Sequence, residues 1–126
     1  MNGIEQYKNV HTSSASPHKL VQMLLDTFIE RTEQAIDAIK HDKIELKSLA
    51  VSKAISILGI LEESLDLDAG GELAERLKSL YQYTKSTMLA ASVSNDVIAL
   101  EHTKSLIAEI QQAWVEIGNN GSASTE

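Results

Sequence analysis

The sequence contains no cysteine, a single proline and only five aromatic residues among its 126 residues. Without cysteine, a disulfide scaffold, a thiolate metal site and a thiol nucleophile are all excluded. Turns and loops use proline whereas the interiors of long helices exclude it, so its scarcity favours a protein of long helices. The few aromatic side chains also leave little material for the stacking platforms that bind nucleic-acid bases.

Positive charge is also scarce, because 11 Lys and Arg residues stand against 18 Asp and Glu residues and give a net charge of −7. A protein that derives its affinity from phosphates needs the opposite sign, so we expect no nucleic-acid partner. No apolar run approaches the roughly 18 to 20 residues that cross a bilayer, and no basic segment precedes a hydrophobic stretch at the N-terminus. We therefore expect no direct membrane insertion and a cytoplasmic protein.

Four stretches carry apolar residues at the three- and four-residue spacing of amphipathic helices. Ser16-Pro17 is a helix start signal, and the tetrad 42–45 resembles a capping box with an acid first and Glu45 last. Two glycines at 70 and 71 separate the second helix from the third, and Gly118 is expected to end the fourth. The predicted helices cover about residues 17–40, 46–65, 72–93 and 97–117.

Short links between helices of about 33 Å force neighbours to run antiparallel. The predicted fold class is therefore all-α, an antiparallel up-down-up-down four-helix bundle with a flexible N-terminal arm. We assign residues 1–15 to the arm, 16–118 to the bundle and 119–126 to a disordered tail.

The patterns of catalytic and metal-binding residues are missing. None of the four histidines follows an acid by three residues, and no two of them are spaced i, i+4, so neither a di-iron nor a zinc helix is indicated. The loop at 66–77 departs from the calcium template at Gly70 and Leu77. The motif Ser16-x-x-Lys19 lacks the partners of penicillin-recognising enzymes. We expect no enzyme activity, no metal and no cofactor.

Two helices present apolar residues beside their core stripes. In the second helix these are Val51, Ile55 and Leu58, and in the third they are Leu80 and Tyr83. One interpretation is a broad arc that the bundle itself buries. The other is a hydrophobic groove that accepts the amphipathic helix of a partner, in which case these five residues bind that partner.

The N-terminal arm carries isolated apolar residues, namely Ile4, Tyr7 and Val10. They are expected either to fold back onto the bundle or to act as a docking peptide, and the two roles are compatible.

Several segments resemble the flagellar secretion chaperone family, FliS, in order and with matching spacing over about residues 4 to 117. They are Ser14-Ala-Ser-Pro-His-Lys-Leu-Val-Gln-Met-Leu-Leu-Asp26, Ser52-Lys-Ala-Ile55, Gly70-Gly-Glu-Leu-Ala74, Leu80-Tyr-Gln-Tyr83, Asn95-Asp96 and Trp114. Thr27-Phe28 departs from the family, which often has a small residue there.

The resemblance implies a cytosolic export chaperone that binds the C-terminal segment of newly made flagellin in hydrophobic grooves and prevents premature polymerisation. That segment would fold as it binds. Ile4-Glu-Gln-Tyr7 is similar to an Ile-x-x-Tyr motif of the family, which implies docking to the export gate protein at the membrane and coverage of part of the client groove. The alternative is a self-associating or regulatory helical bundle without a flagellin client.

Overall fold

The computed structural model describes the backbone of residues 16–125 and the side chains of residues 16–119. This part of the chain forms four helices and no strand: α1 (Pro17–Lys40), α2 (Ile44–Glu63), α3 (Leu67–Ser94) and α4 (Val97–Thr125). The prediction of an all-α bundle is confirmed. The arm and its residues Ile4, Tyr7 and Val10 lie outside the described residues.

Side-chain caps fix the starts of three helices. The backbone N–H of Lys19 donates to Ser16 Oγ over 3.1 Å at the start of α1, as Ser16-Pro17 predicts. Asp66 accepts from the N–H of Ala69 at 3.0 Å before α3. Asp96 accepts from the N–H of Ala99, also at 3.0 Å, before α4. Each cap satisfies an amide that has no partner within its own helix.

The predicted capping box at residues 42–45 is not formed. Asp42 adopts a left-handed conformation with φ of 55°, and the N-cap of α2 is Lys43, whose side chain makes no capping bond. The N–H of Lys43 instead reaches Ala38 O over 2.8 Å and closes a Schellman turn at the end of α1. A connection this short needs one residue at positive φ, and Asp42 takes that role instead of capping α2.

Each helix packs against its neighbours in sequence, and α1 also packs against α4, so the four helices form a closed ring around one core. Polar pairs fix the antiparallel register. Gln111 of α4 donates to Asp26 of α1 over 2.6 Å. At the opposite end, Lys47 Nζ of α2 donates to Ser92 O over 2.9 Å, where α3 ends. A lysine at a helix C-terminus also offsets the negative end of the helix dipole.

The core is apolar except for three buried threonines. Each threonine hydroxyl donates to a carbonyl of its own helix: Thr32 to Phe28, Thr84 to Leu80 and Thr103 to Leu100. Among the described residues no buried side-chain polar atom lacks a partner. The hydroxyls therefore fill core positions without an unpaired polar group. The largest fully buried apolar side chains are Phe28, Leu20, Leu24, Leu25, Leu58, Leu61, Met88, Leu100 and Ile107.

Helix α4 is longer than the sequence predicts. The expected stop at Gly118 and the irregular tail after it give way to helix up to Thr125. A glycine inside a helix costs only about 1 kcal/mol relative to alanine. Positive φ occurs in the described part of the chain only at Asp42, Gly71 and Asn95, so nothing near Gly118 turns the chain out of the helix.

Candidate partner-binding surface

The five residues predicted to bind a partner lie in different environments. Val51 and Leu58 are 4% and 0% exposed and belong to the core. Ile55 is partly buried against the core, and Leu80 is half-buried. Tyr83 is 53% exposed. The expectation that Val51 and Leu58 face an open groove is therefore wrong, and the structure does not bring the five residues together on one free surface.

The position of α2 in the ring explains the burial of Val51 and Leu58. Helix α2 packs against both α1 and α3, so it must bury two faces rather than one. A helix that packs against two neighbours needs a wider apolar arc than a helix that packs against one. For these two residues the correct interpretation is the broad buried arc.

The structure instead opens an apolar cleft elsewhere, between the N-terminal parts of α1 and α3 and the middle of α4. We call it the tail cleft. Its volume is about 390 Å³. Its walls are mainly apolar, and it is lined by Val21, Leu25, Ser64, Leu65, Asp66, Ala69, Gly70, Leu73, Ala74, Leu77, Tyr81, Ile110 and Trp114.

A kink in α3 shapes one wall of the tail cleft. Gly71 has φ of 55° and ψ of −133°, a conformation that is essentially restricted to glycine. The first turn, Leu67–Gly70, therefore leaves the axis of the rest of α3. Just after the kink, Leu73 is 66% exposed although it lines the cleft. The sequence-predicted break at the two glycines is thus present as a kink within one helix.

Trp114, in the wall of the tail cleft, also joins α4 to α1. The rings of His18 and Trp114 stack with centroids 4.6 Å apart and an angle of 7° between their planes. Trp114 Nε1 donates to His18 O over 2.8 Å. A Cβ atom at position 118 would overlap the imidazole of His18, so Gly118 is required for this close approach.

The floor of the tail cleft contains Tyr81, which is 3% exposed. Burial raises the pKa of Tyr81 to about 12, because the phenolate would lose its hydration. The folded state therefore favours the neutral phenol more strongly than the unfolded chain does, where the pKa is near 10.

This difference predicts a loss of stability at high pH. The contribution of Tyr81 is complete below pH 10 and is lost as the pH rises from about 10 to 12, to an extent of roughly 2 kcal/mol. Urea unfolding of Tyr81→Phe and of the unsubstituted protein at pH 8, 10 and 11.5 measures this loss of stability. Between pH 8 and 11.5 we expect the free energy of unfolding to decrease less for Tyr81→Phe than for the unsubstituted protein. An equal decrease in both proteins would contradict the raised pKa of Tyr81.

The described residues do not assemble a site for metal chemistry or a membrane span. No group of three or more His, Asp or Glu side chains within them is placed to hold a metal ion. None of the helices α1 to α4 combines the length and apolarity that crossing a bilayer requires. What the geometry offers is a concave apolar surface, which suits the burial of apolar side chains.

Sequence reasoning missed the tail cleft because its lining comes from three helices that are distant in sequence. A signal was present in Leu73, which follows the glycine pair. Its exposed fraction is 66%. A large apolar residue that stays exposed beside a helix break points to a surface that takes a partner.

Comparisons with known proteins cover nearly the whole chain. Residues 1–121 match the family described as "Flagellar protein FliS". The flagellar secretion chaperone FliSB of Pseudomonas aeruginosa is 37% identical over 118 residues, which cover 90% of this chain and 94% of that protein. The flagellar secretion chaperone FliS of Salmonella typhimurium is 35% identical over 126 residues, which cover 96% of this chain and 93% of that protein.

A third relative, the flagellar secretion chaperone FliS of Vibrio cholerae, is 35% identical over 118 residues, covering 90% of this chain and 87% of that protein. All three are named as chaperones, in agreement with the expectation that this protein is not an enzyme. The family match and the relatives span the bundle, the tail cleft and the stacked Trp114. The chain therefore belongs to the FliS family of flagellar secretion chaperones.

Proposed function

We propose that this protein binds the C-terminal segment of flagellin in the cytosol and keeps it from polymerising before export. The family supports a chaperone role in flagellar export. The tail cleft supports the mode of binding, since its apolar walls suit one face of an amphipathic helix. The client segment folds into that helix as it docks, so ordering the chain offsets part of the binding free energy.

The observation that carries the proposal is the exposure of Leu73 at the mouth of the tail cleft. A leucine at 66% exposure beside half-buried neighbours such as Leu77 and Trp114 leaves apolar surface that the bundle does not use itself. Covering one such side chain contributes roughly 1.5 to 3 kcal/mol. Three or four client side chains in the cleft would suffice for a specific complex after the ordering cost.

The N-terminal arm completes the proposal. Ile4 and Tyr7 dock the loaded chaperone to the export gate protein at the membrane, and together with Val10 they cover part of the client surface when no client is bound. Ile55, Leu80 and Tyr83 extend the client surface beyond the tail cleft, since each keeps some exposed surface. Val51 and Leu58 support that surface from the core.

Isothermal titration calorimetry with purified flagellin tests the proposal. We expect a one-to-one complex with full-length flagellin and no measurable heat with flagellin that lacks its C-terminal segment. Equal binding of both flagellins would overturn the proposal. Light scattering of the free protein separates the alternative function, because a concentration-dependent dimer without flagellin binding is the result expected for a self-associating bundle.

A further inference from the structure

A second concave surface lies at the opposite end of the bundle, on the outer side of the α1–α2 pair. We call it the basic groove. Its volume is about 550 Å³. One wall runs from Arg31, in the C-terminal part of α1, to the C-cap residue His41, a length of about 15 Å, and the other is the N-terminal part of α2. This length accommodates about three turns of a helix.

Two leucines of α2 face the basic groove without being used by the core. Leu46 and Leu49 are 56% and 53% exposed and both line the groove. They are three residues apart, so they lie on one face of α2. The next residues along, Ala50 and Val51, are both 4% exposed and supply the packing toward the core. The leucine pair therefore forms an apolar strip that the bundle leaves open.

Positive charge surrounds this strip. Arg31, Lys43 and Lys53 line the groove, in a chain whose net charge is −7. The only carboxylate in the lining is Asp37, which lies 3.4 Å from His41 Nδ1. The tail cleft has the opposite character, since Asp66 is its one charged lining residue. The two concave surfaces thus select for partners of different charge.

Within residues 16–119, none of the three cations lies in an ion pair with a carboxylate that the structure shows. The carboxylates of Asp37, Glu72, Glu62, Glu33 and Glu101 lie instead near the imidazole of His41 and the side chains of Arg76, Lys85 and Lys104. Arg31 Nη1 donates only to the neutral amide oxygen of Gln34, over 2.9 Å. A cluster of cations without a carboxylate partner among the described side chains repels other cations and attracts carboxylates from a partner.

We propose that the basic groove docks an acidic amphipathic helix of a second partner protein, distinct from the flagellin segment. Apolar residues on one face of that helix cover Leu46 and Leu49. Asp and Glu residues on its flanks pair with Arg31, Lys43 and Lys53. The leucines set how slowly the complex dissociates, whereas the cations raise the association rate and make it dependent on salt.

The test uses three synthetic helical peptides of about 15 residues and the full chain. The first peptide has a leucine face flanked by glutamates, the second replaces the glutamates with lysines, and the third replaces the leucines with serines. Calorimetry at 50 mM salt gives the affinities, and amide chemical shifts of the isotope-labelled protein locate the site. We expect only the first peptide to bind measurably, with shifts confined to residues 31–53 and about tenfold weaker binding at 300 mM salt.

Matched variants separate the two contributions. Leu49→Ser and the double variant Lys43→Glu/Lys53→Glu are each expected to weaken binding of the glutamate peptide by about tenfold or more. Leu89→Ser and Lys19→Glu, which change exposed residues outside the groove, are expected to leave it unchanged. Binding of the flagellin C-terminal segment is measured in parallel and is expected to be the same in all variants.

Three outcomes would overturn the proposal. Equal affinity for the glutamate and lysine peptides would show that charge does not select the partner. Loss of flagellin binding in Leu49→Ser would place the groove within the client site. A protein dimer that Leu49→Ser abolishes would make the groove an interface between two copies of this chain. Failure of the flagellin experiment alone would leave this proposal intact, because the two assays use different ligands and different surfaces.

Discussion

Replacing Leu73 with glutamate is expected to weaken binding of the flagellin C-terminal segment by at least about thirtyfold, which corresponds to about 2 kcal/mol. Leu73 lines the tail cleft and is 66% exposed in the free protein. A glutamate there stays hydrated until the client covers it. In the complex the carboxylate would be buried without a partner, beside the acid Asp66 that also lines the cleft. The free energy of unfolding is expected to change by less than about 0.5 kcal/mol.

Leu89→Glu is the matched control. Leu89 is 53% exposed and lies on the same helix, 16 residues further along and thus about 24 Å away. The substitution adds the same charge to α3 outside the tail cleft, so flagellin affinity is expected to stay within about twofold of that of the unsubstituted protein. Calorimetry measures both affinities, and thermal unfolding checks the fold. Equal losses in both variants would point to net charge rather than to the tail cleft.

Substituting alanine for glycine is expected to have opposite effects at positions 71 and 59. Neither position has an atom within 4 Å of the added Cβ, so space does not decide the outcome. Gly71 has φ of 55° with ψ of −133°, which strains any residue with a side chain by about 1 to 3 kcal/mol. Gly59 lies inside α2, where alanine gains about 0.5 to 1 kcal/mol in helix propensity.

Urea unfolding of Gly71→Ala and Gly59→Ala provides the measurement. We expect the first variant to be less stable and the second more stable than the unsubstituted protein. The signs of the two changes separate backbone conformation from packing, because the added atoms are the same. A stabilised Gly71→Ala would mean that residues 67–74 form a regular helix in solution. In that case the shape of the tail cleft would also have to be revised.

The sequence was sufficient to predict the elements that depend on local interactions. Ser16-Pro17 and Asn95-Asp96 mark helix ends because their bonds reach only a few residues along the chain. Apolar spacing then predicts four helices, and short links leave an antiparallel ring as the simplest arrangement. The core positions Thr84 and Thr103 follow from the same spacing, and both are 0% exposed.

Features that depend on several helices could not be predicted in this way. Whether the wide apolar arc with Val51 and Leu58 is open or buried depends on how many neighbours α2 has, and the spacing within one helix does not contain that information. The conformation of Asp42 depends on the demands of the turn and not on its preference as a cap. The tail cleft combines a kink at Gly71 with surfaces of α1 and α4, so no single stretch of sequence reveals it.

The stacked contact in the wall of the tail cleft also provides a natural spectroscopic label. Trp114 is the only tryptophan in the chain, and its indole lies in the cleft wall against His18. Its emission wavelength and intensity respond to solvent exposure and to neighbouring rings. Titration of the unlabelled protein at an excitation wavelength selective for indole therefore follows occupancy of the cleft, provided that the client segment contributes no tryptophan.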